Sequence, residues 1–385
     1  MKPYTWEQLR TATVRRQFPR IRGRGQAAVA ELVRRVGPVQ SQVARAPFVT
    51  VSSRLPGASY ADIVAAYESG ELVRGSNLRG TVHTCVREHH PLLDDVTRRV
   101  MEKGWIRNLR LERTTAAEVQ AGIEEFATGK WRTPDELREH LVGWLRSHEG
   151  QASADVARTS GVGRAFAHVH SGLVRRPLAD AGWDRQTTPG YRKAAEALGD
   201  DRAPIIDDPE AALVAVTRQH LTAFGPANRR DIAWWSGAGL RQIDQALVVL
   251  GDELTGRPGP DGQTYYDHVD APGGGWPDPG VRLIPEFDAV LVGYDPRTRE
   301  RFLEPEHLPH VWQQQNGLLS SAVLSEGRLV ASWRLDGTGD RRRLDVLMFP
   351  GQRLLTDAQI ADQVSALETA LAIHLDDVQV TTSRS

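Results

Sequence analysis

The pattern that most constrains the fold of this chain occurs three times. A triple of helical segments is followed by a hairpin over about residues 20–100, 115–190 and 208–270. The third copy is the plainest. A helix opens at Pro209 and runs to about Leu221, the turn Phe224-Gly225-Pro226 follows, and Ala227–Trp235 makes a second helix. Ser236-Gly237-Ala238-Gly239 breaks it. Leu240–Leu250 then sets Ile243, Leu247 and Leu250 on one face, and 253–270 read as two short strands around Pro258-Gly259-Pro260-Asp261-Gly262. Helix, helix, short turn, helix, hairpin is the order of a winged helix.

In the first copy, Val29, Leu32, Val33 and Val36 recur at helical spacing. They follow an arm with Arg15, Arg16, Arg20, Arg22 and Arg24 interleaved with Gly23 and Gly25, which reads as flexible and basic. Ser59 and Asp62 make a capping-box start, and 71–86 read as a strand pair or wing. In the second copy, Thr115 with Glu118 and Thr133-Pro134 with Glu136 mark helix starts, and Leu137, Leu141, Trp144 and Leu145 form an apolar stripe. The last hundred residues differ. They are rich in Leu, Val and Trp, with hairpin signals at Glu326-Gly327 and Asp336–Asp340 and a closing helix, 357–374, capped by Thr356. The expected fold is α+β: three tandem winged-helix modules (1–110, 111–200 and 201–275) followed by a small C-terminal antiparallel β-unit (276–385).

The net charge of −1 favours no partner, but the charge is unevenly spread. Residues 1–50 hold ten Lys/Arg against two Asp/Glu, whereas 251–300 hold four against ten. Such a distribution can turn one face toward phosphates while the whole stays neutral; a solvated basic terminus explains it equally well. A single cysteine, Cys85, excludes an internal disulfide and fits a reducing compartment. No secretory signal or membrane-length apolar run is present, so a cytoplasmic protein, not membrane-bound, is expected.

Six strings carry a resemblance: GPVQSQ (37–42), SRLPG (53–57), LRGTVH (78–83), FGPANRRDIAWWSG (224–237), LIPEFDAVLVGY (283–294) with a following Arg299, and NGLLSSAVLSEGRLVASW (316–333). In this order and over most of the chain, the sequence resembles the AlkZ/YcaQ-like winged-helix DNA glycosylases. The resemblance implies a concave face that binds duplex DNA and a catalytic Gln-x-Gln pair, matched here by Gln40 and Gln42. YcaQ-branch relatives carry Gln-x-Asp, so the chain is similar to the AlkZ branch, whose members are associated with self-resistance to genotoxic natural products. It departs from the pattern at Ser41, where the family is usually apolar, and at Val43, where it is often acidic.

The chemistry is coherent. A glutamine is no general base near neutral pH, but it accepts and donates hydrogen bonds and can hold a water against an anomeric carbon. That suffices if the leaving base is already cationic, as a purine alkylated at N7 is. No lysine lies in the Gln-x-Gln segment to form a Schiff base, so a monofunctional enzyme is expected, without cofactor, acting as a monomer on bulky adducts and interstrand crosslinks among its lesions. An extended or turn conformation is expected, helped by Gly37-Pro38: an extended segment points Gln40 and Gln42 the same way, whereas a helix would splay them by about 200°. Taken without the resemblance, the two read as surface glutamines.

Arg22, Arg24, Arg45, Arg54, Arg79, His83, Arg229, Arg230, Arg341 and Arg342 are the expected DNA contacts. For each the alternative is an internal ion pair, a structural hydrogen bond or a solvated turn. His83, Cys85, His89 and His90 match no standard zinc spacing, so no metal is expected. Trp234 and Trp235 read as core of the third module. Phe48 is the one aromatic close to Gln40 in sequence, which points to lesion recognition without full base extrusion. A regulator or a catalytically dead damage sensor is the competing reading.

Overall fold

The computed structural model describes residues 2–178, 181–199, 208–273, 278–313 and 317–382. The expected boundaries at 200/201 and 275/276 fall outside these residues, as does Asn316 at the start of the last family-like string.

The chain begins with α1 (Trp6–Gln17), which takes up Arg15 and Arg16, the first two arginines of the expected flexible arm. Thr5 caps it with a reciprocal box to Gln8, and Leu9 and Val14 are buried. Gln17 ties its end inward, donating to the carbonyls of Val36 (3.0 Å) and Ala223 (2.9 Å). Arg16 pairs with Asp267. In the link that follows, Arg20, Arg22 and Arg24 are exposed.

The first unit comprises α2 (Gly25–Val36), β1 (Val39–Gln40), α3 (Ala46–Arg54), α4 (Tyr60–Glu68), β2 (Leu72–Asn77) and β3 (Thr81–Val86). A twenty-residue helix, α5 (His90–Leu109), follows. Its sequence lacks a clean apolar stripe, and part of its surface is laced by Asp94–Arg98 and Asp95–Arg99 pairs one turn apart. The second unit holds α6 (Ala116–Phe126), α7 (Pro134–His148), α8 (Gln151–Thr159), α9 (Gly161–Phe166), β4 (Leu173–Pro177) and β5 (Pro189–Lys193), then α10 (Ala194–Leu198). The third holds α11 (Pro209–Phe224), β6 (Ala227–Asn228), α12 (Arg229–Ser236), α13 (Leu240–Leu250), β7 (Leu254–Pro258) and β8 (Thr264–His268). The helix expected from Ala227 starts two residues later, because Asn228 is its cap and ends a short strand.

The three units share one detail. A short extended segment ahead of the second helix pairs antiparallel with the last strand of the hairpin: β1 with β3, Arg132 with Tyr191 of β5, and β6 with β8. The first two hairpins also join, through Gly75 opposite Val174, into one antiparallel sheet ordered β1-β3-β2-β4-β5. A Cβ on Gly75 would meet the Leu173 carbonyl at 2.9 Å, so only glycine lets these strands approach.

The remainder runs β9 (Arg282–Ile284), α14 (Ala289–Val292), α15 (Leu308–Val311), β10 (Trp312–Gln313), β11 (Leu318–Leu319), β12 (Ala322–Ser325), β13 (Arg328–Asp336), β14 (Arg341–Met348), α16 (Asp357–Leu371) and β15 (His374–Thr382). It is not purely antiparallel. The sheet β9-β12-β13-β14-β15 ends in a parallel pair, because α16 carries the chain back across the sheet before β15. Nor does it stand apart: Leu367 and Ala370 of α16 share a core with Phe48, Val49 and Val51 of α3. No helix among the described residues is long and apolar enough to cross a membrane.

Candidate active site

Gln40 and Gln42 emerge where β1 ends. Gly37 terminates α2 at φ 85°, a backbone conformation that residues with a Cβ rarely adopt, so the turn into β1 favours glycine. Gln40 is the last strand residue, opposite His83. The chain then turns instead of staying extended. Ser41 N–H donates to the Val82 carbonyl at 2.6 Å, and Gln42 is exposed while Gln40 is buried. Both side chains nevertheless lean on the same hairpin. The Gln40 Oε1 accepts from Arg79 Nη2 at 3.1 Å, and the Gln42 Oε1 accepts from Val82 N–H at 3.4 Å.

Ser41, the departure from the family's apolar residue, is buried and satisfied. Its hydroxyl, with a single proton to give, lies 2.9 Å from both the Val39 carbonyl and Thr84 Oγ1, and Thr84 Oγ1 also meets the Tyr67 hydroxyl at 2.7 Å. The polar residue thus has a polar socket prepared for it.

Arg79 and His83 complete the corner. Arg79 sits in the 3-10 turn between β2 and β3 with φ 59°, a left-handed conformation that side chains other than glycine rarely adopt. Its guanidinium donates to the Trp235 carbonyl of α12 as well as to Gln40, so it faces inward. Burial lowers its pKa to about 10, leaving it cationic at neutral pH. His83 is 1% exposed, and its Nδ1 lies 2.9 Å from the Thr81 carbonyl. That carbonyl can only accept, which assigns the ring proton to Nδ1. Burial, and then the charge of Arg79, push the His83 pKa down to about 3. A neutral imidazole at this depth offers no cation to a phosphate.

The other expected DNA contacts divide. Arg54 is interior: its side chain is fully buried, pairs with Asp288 at 2.8 Å and donates to the Gln17 carbonyl at 2.9 Å. A buried pair of this kind leaves nothing for a phosphate. Arg45 pairs with Glu286, Arg229 with Asp244 (2.6 Å), and Arg341 with Asp376. Arg342 folds back on the Gly337 carbonyl. Arg22 and Arg24 are exposed, and they and the half-buried Arg230 make no ion pair among the described residues. Phe48 is fully buried and stacks on Tyr60.

Sequence reasoning missed two features. Trp235 is core at 1% exposed, but Trp234 is 39% exposed. The spacing of Ile232 and Trp235 on α12, both buried, already implied that Trp234 faces out. Arg299 is 1% exposed and lies over Trp312 and Trp234, with ring centroids 4.9 and 5.7 Å away. Its Nε donates to the Leu291 carbonyl, it has no carboxylate within ion-pair distance among the described residues, and burial lowers its pKa to about 10. No periodicity signals such a residue.

Three helix-and-hairpin units of winged-helix order, the first carrying a glutamine corner beside an inward arginine, set the frame for the comparisons with known proteins. The AlkZ-like family model, described as "DNA glycosylase AlkZ-like", matches residues 33–374, so the chain belongs to the AlkZ-like DNA glycosylase family. Among solved structures, Streptomyces sahachiroi DNA glycosylase AlkZ superimposes with a TM-score of 0.79 at 21% identity, covering 99% of this chain and 100% of that one. No curated protein matches the chain.

Proposed function

We propose that this DNA glycosylase hydrolyses the N-glycosidic bond of N7-alkylated purines in duplex DNA, bulky adducts and crosslinks included, with Gln40 and Gln42 holding the attacking water. The observation that carries the reading is that the two amides leave one loop and lean on one hairpin, while no carboxylate hydrogen-bonds to either among the described residues. A site without a general base suits a substrate whose leaving group is already cationic. With no lysine in the loop, the reaction ends at the abasic site. Of the ten expected contacts, Arg22, Arg24 and Arg230 make no ion pair among the described residues and can meet phosphates. The enzyme acts as a monomer in base excision repair, including self-protection against an alkylating natural product.

The test is release of 7-methylguanine from alkylated duplex DNA. Gln40→Ala and Gln42→Ala each lower the single-turnover rate by about a hundredfold or more. Undiminished release by both variants would sink the assignment.

A further inference from the structure

We propose that Arg79 is a positioning residue for the glycosylase reaction, acting through Gln40 and not on the DNA backbone; the inference rests on the role given to Gln40 above. Three observations carry it. The guanidinium is already engaged on two sides, by the Trp235 carbonyl and by Gln40 Oε1, so it bridges the third unit to the glutamine loop. Its backbone is held at φ 59°, a strained choice for an arginine that the surrounding contacts maintain. And the molecule makes room for it: a Cβ on Gly237 would come within 3.3 Å of the Arg79 Cγ.

The consequence is a fixed amide. A cationic donor at 3.1 Å takes the oxygen end of Gln40, so its orientation is set by charge and not by chance rotation. The Nε2 end has no protein partner among the described residues and is left for water or substrate. Gln42 is arranged in parallel, its oxygen on the Val82 N–H. His83, kept neutral by burial, adds no second cation beside Arg79.

The experiment is a double-mutant cycle on single-turnover release of 7-methylguanine, using Arg79→Met, Gln40→Ala and the double variant, with duplex affinity measured across salt concentrations. Losing a charge-assisted hydrogen bond should slow release by about tenfold to a hundredfold. The double variant should be no slower than Gln40→Ala within about twofold, since the arginine works only through that side chain. Duplex affinity and its salt slope should not change. Multiplicative losses in the double variant overturn the proposal. So does a salt slope reduced by about one in Arg79→Met, the mark of a lost phosphate contact. If Arg79→Met does not fold, Arg79→Lys enters the same cycle, since its point charge cannot reproduce two directed donors. Wild-type release by Gln40→Ala sinks the reading of Gln40 itself, whereas a slow Gln40→Ala with additive Arg79→Met sinks only the positioning role. If the wild type releases no 7-methylguanine, the salt slope alone decides.

Discussion

The first and third units share one topology and part company just after the short strand. In the third, Asn228 ends β6 and caps α12 at once, accepting from Arg230 N–H (2.8 Å) and Asp231 N–H (3.0 Å), while Asp231 accepts from the Asn228 N–H. Asp231 also takes the Thr298 hydroxyl at 2.5 Å and Arg301 at 3.3 Å, all within the interior. The second unit is similar: Arg132 makes the bridge and Thr133 caps α7 directly. In the first unit residues 41–45 intervene before α3, which has no side-chain cap. A closed junction uses its polar groups on itself. The open one exposes Gln42 and keeps one end of Gln40 free. The candidate site thus sits where a connection that the other two units keep short is longer.

The comparison can be broken from the closed side first. Asp231→Ala orphans Arg301 and should cost about 3–5 kcal/mol in chemical unfolding; a loss under about 1 kcal/mol would mean the junction is not the closed hub described. Acid tests the frame next. His83 and His220 are both pushed down to about 3 by burial, against about 6.5 when unfolded. Between those values the unfolded chain binds the additional protons, so stability is full above about pH 6.5 and falls below it. From pH 7 to 5 each histidine should remove about 2 kcal/mol. Denaturation midpoints that stay flat over that range would contradict two buried neutral rings. Asn228→Ala should cost about 1–2 kcal/mol as a lost cap. Gln42→Ala, at the matching open junction, should leave stability within about 0.5 kcal/mol while excision fails. Equal losses at both would erase the distinction. The smallest effect belongs to Arg341→Ala: its exposed pair with Asp376 predicts a change in stability under about 0.5 kcal/mol and unaltered DNA binding.

Much of this was legible in the sequence where the signal is local. The caps at Thr115, Thr133 and Thr356, the hairpin at Glu326-Gly327 and the apolar stripe of α13 all sit where pattern and turn chemistry place them. Helix α5 was not legible, because charged pairs hide its buried face. The parallel edge strand was not, because pairing direction depends on the path of α16. For the site, Gln40 and Gln42 came from a motif, but the fate of each arginine is decided by partners far along the chain. Arg54, Arg79 and Arg22 look alike in sequence; only the fold tells that one is interior, one frames the glutamines and one meets solvent.

The anchor that Arg79 finds on the Trp235 carbonyl lies 156 residues downstream, and the one that Arg54 finds on Asp288 lies 234 downstream. During translation the glutamines leave the ribosome long before either anchor is made. A nascent chain therefore carries Gln40 and Gln42 before the partners that hold Arg79 and Arg54 in the folded protein exist. An interrupted product that stops inside the second unit has both glutamines but lacks the Trp235 carbonyl that anchors Arg79 and the Asp288 carboxylate that pairs with Arg54.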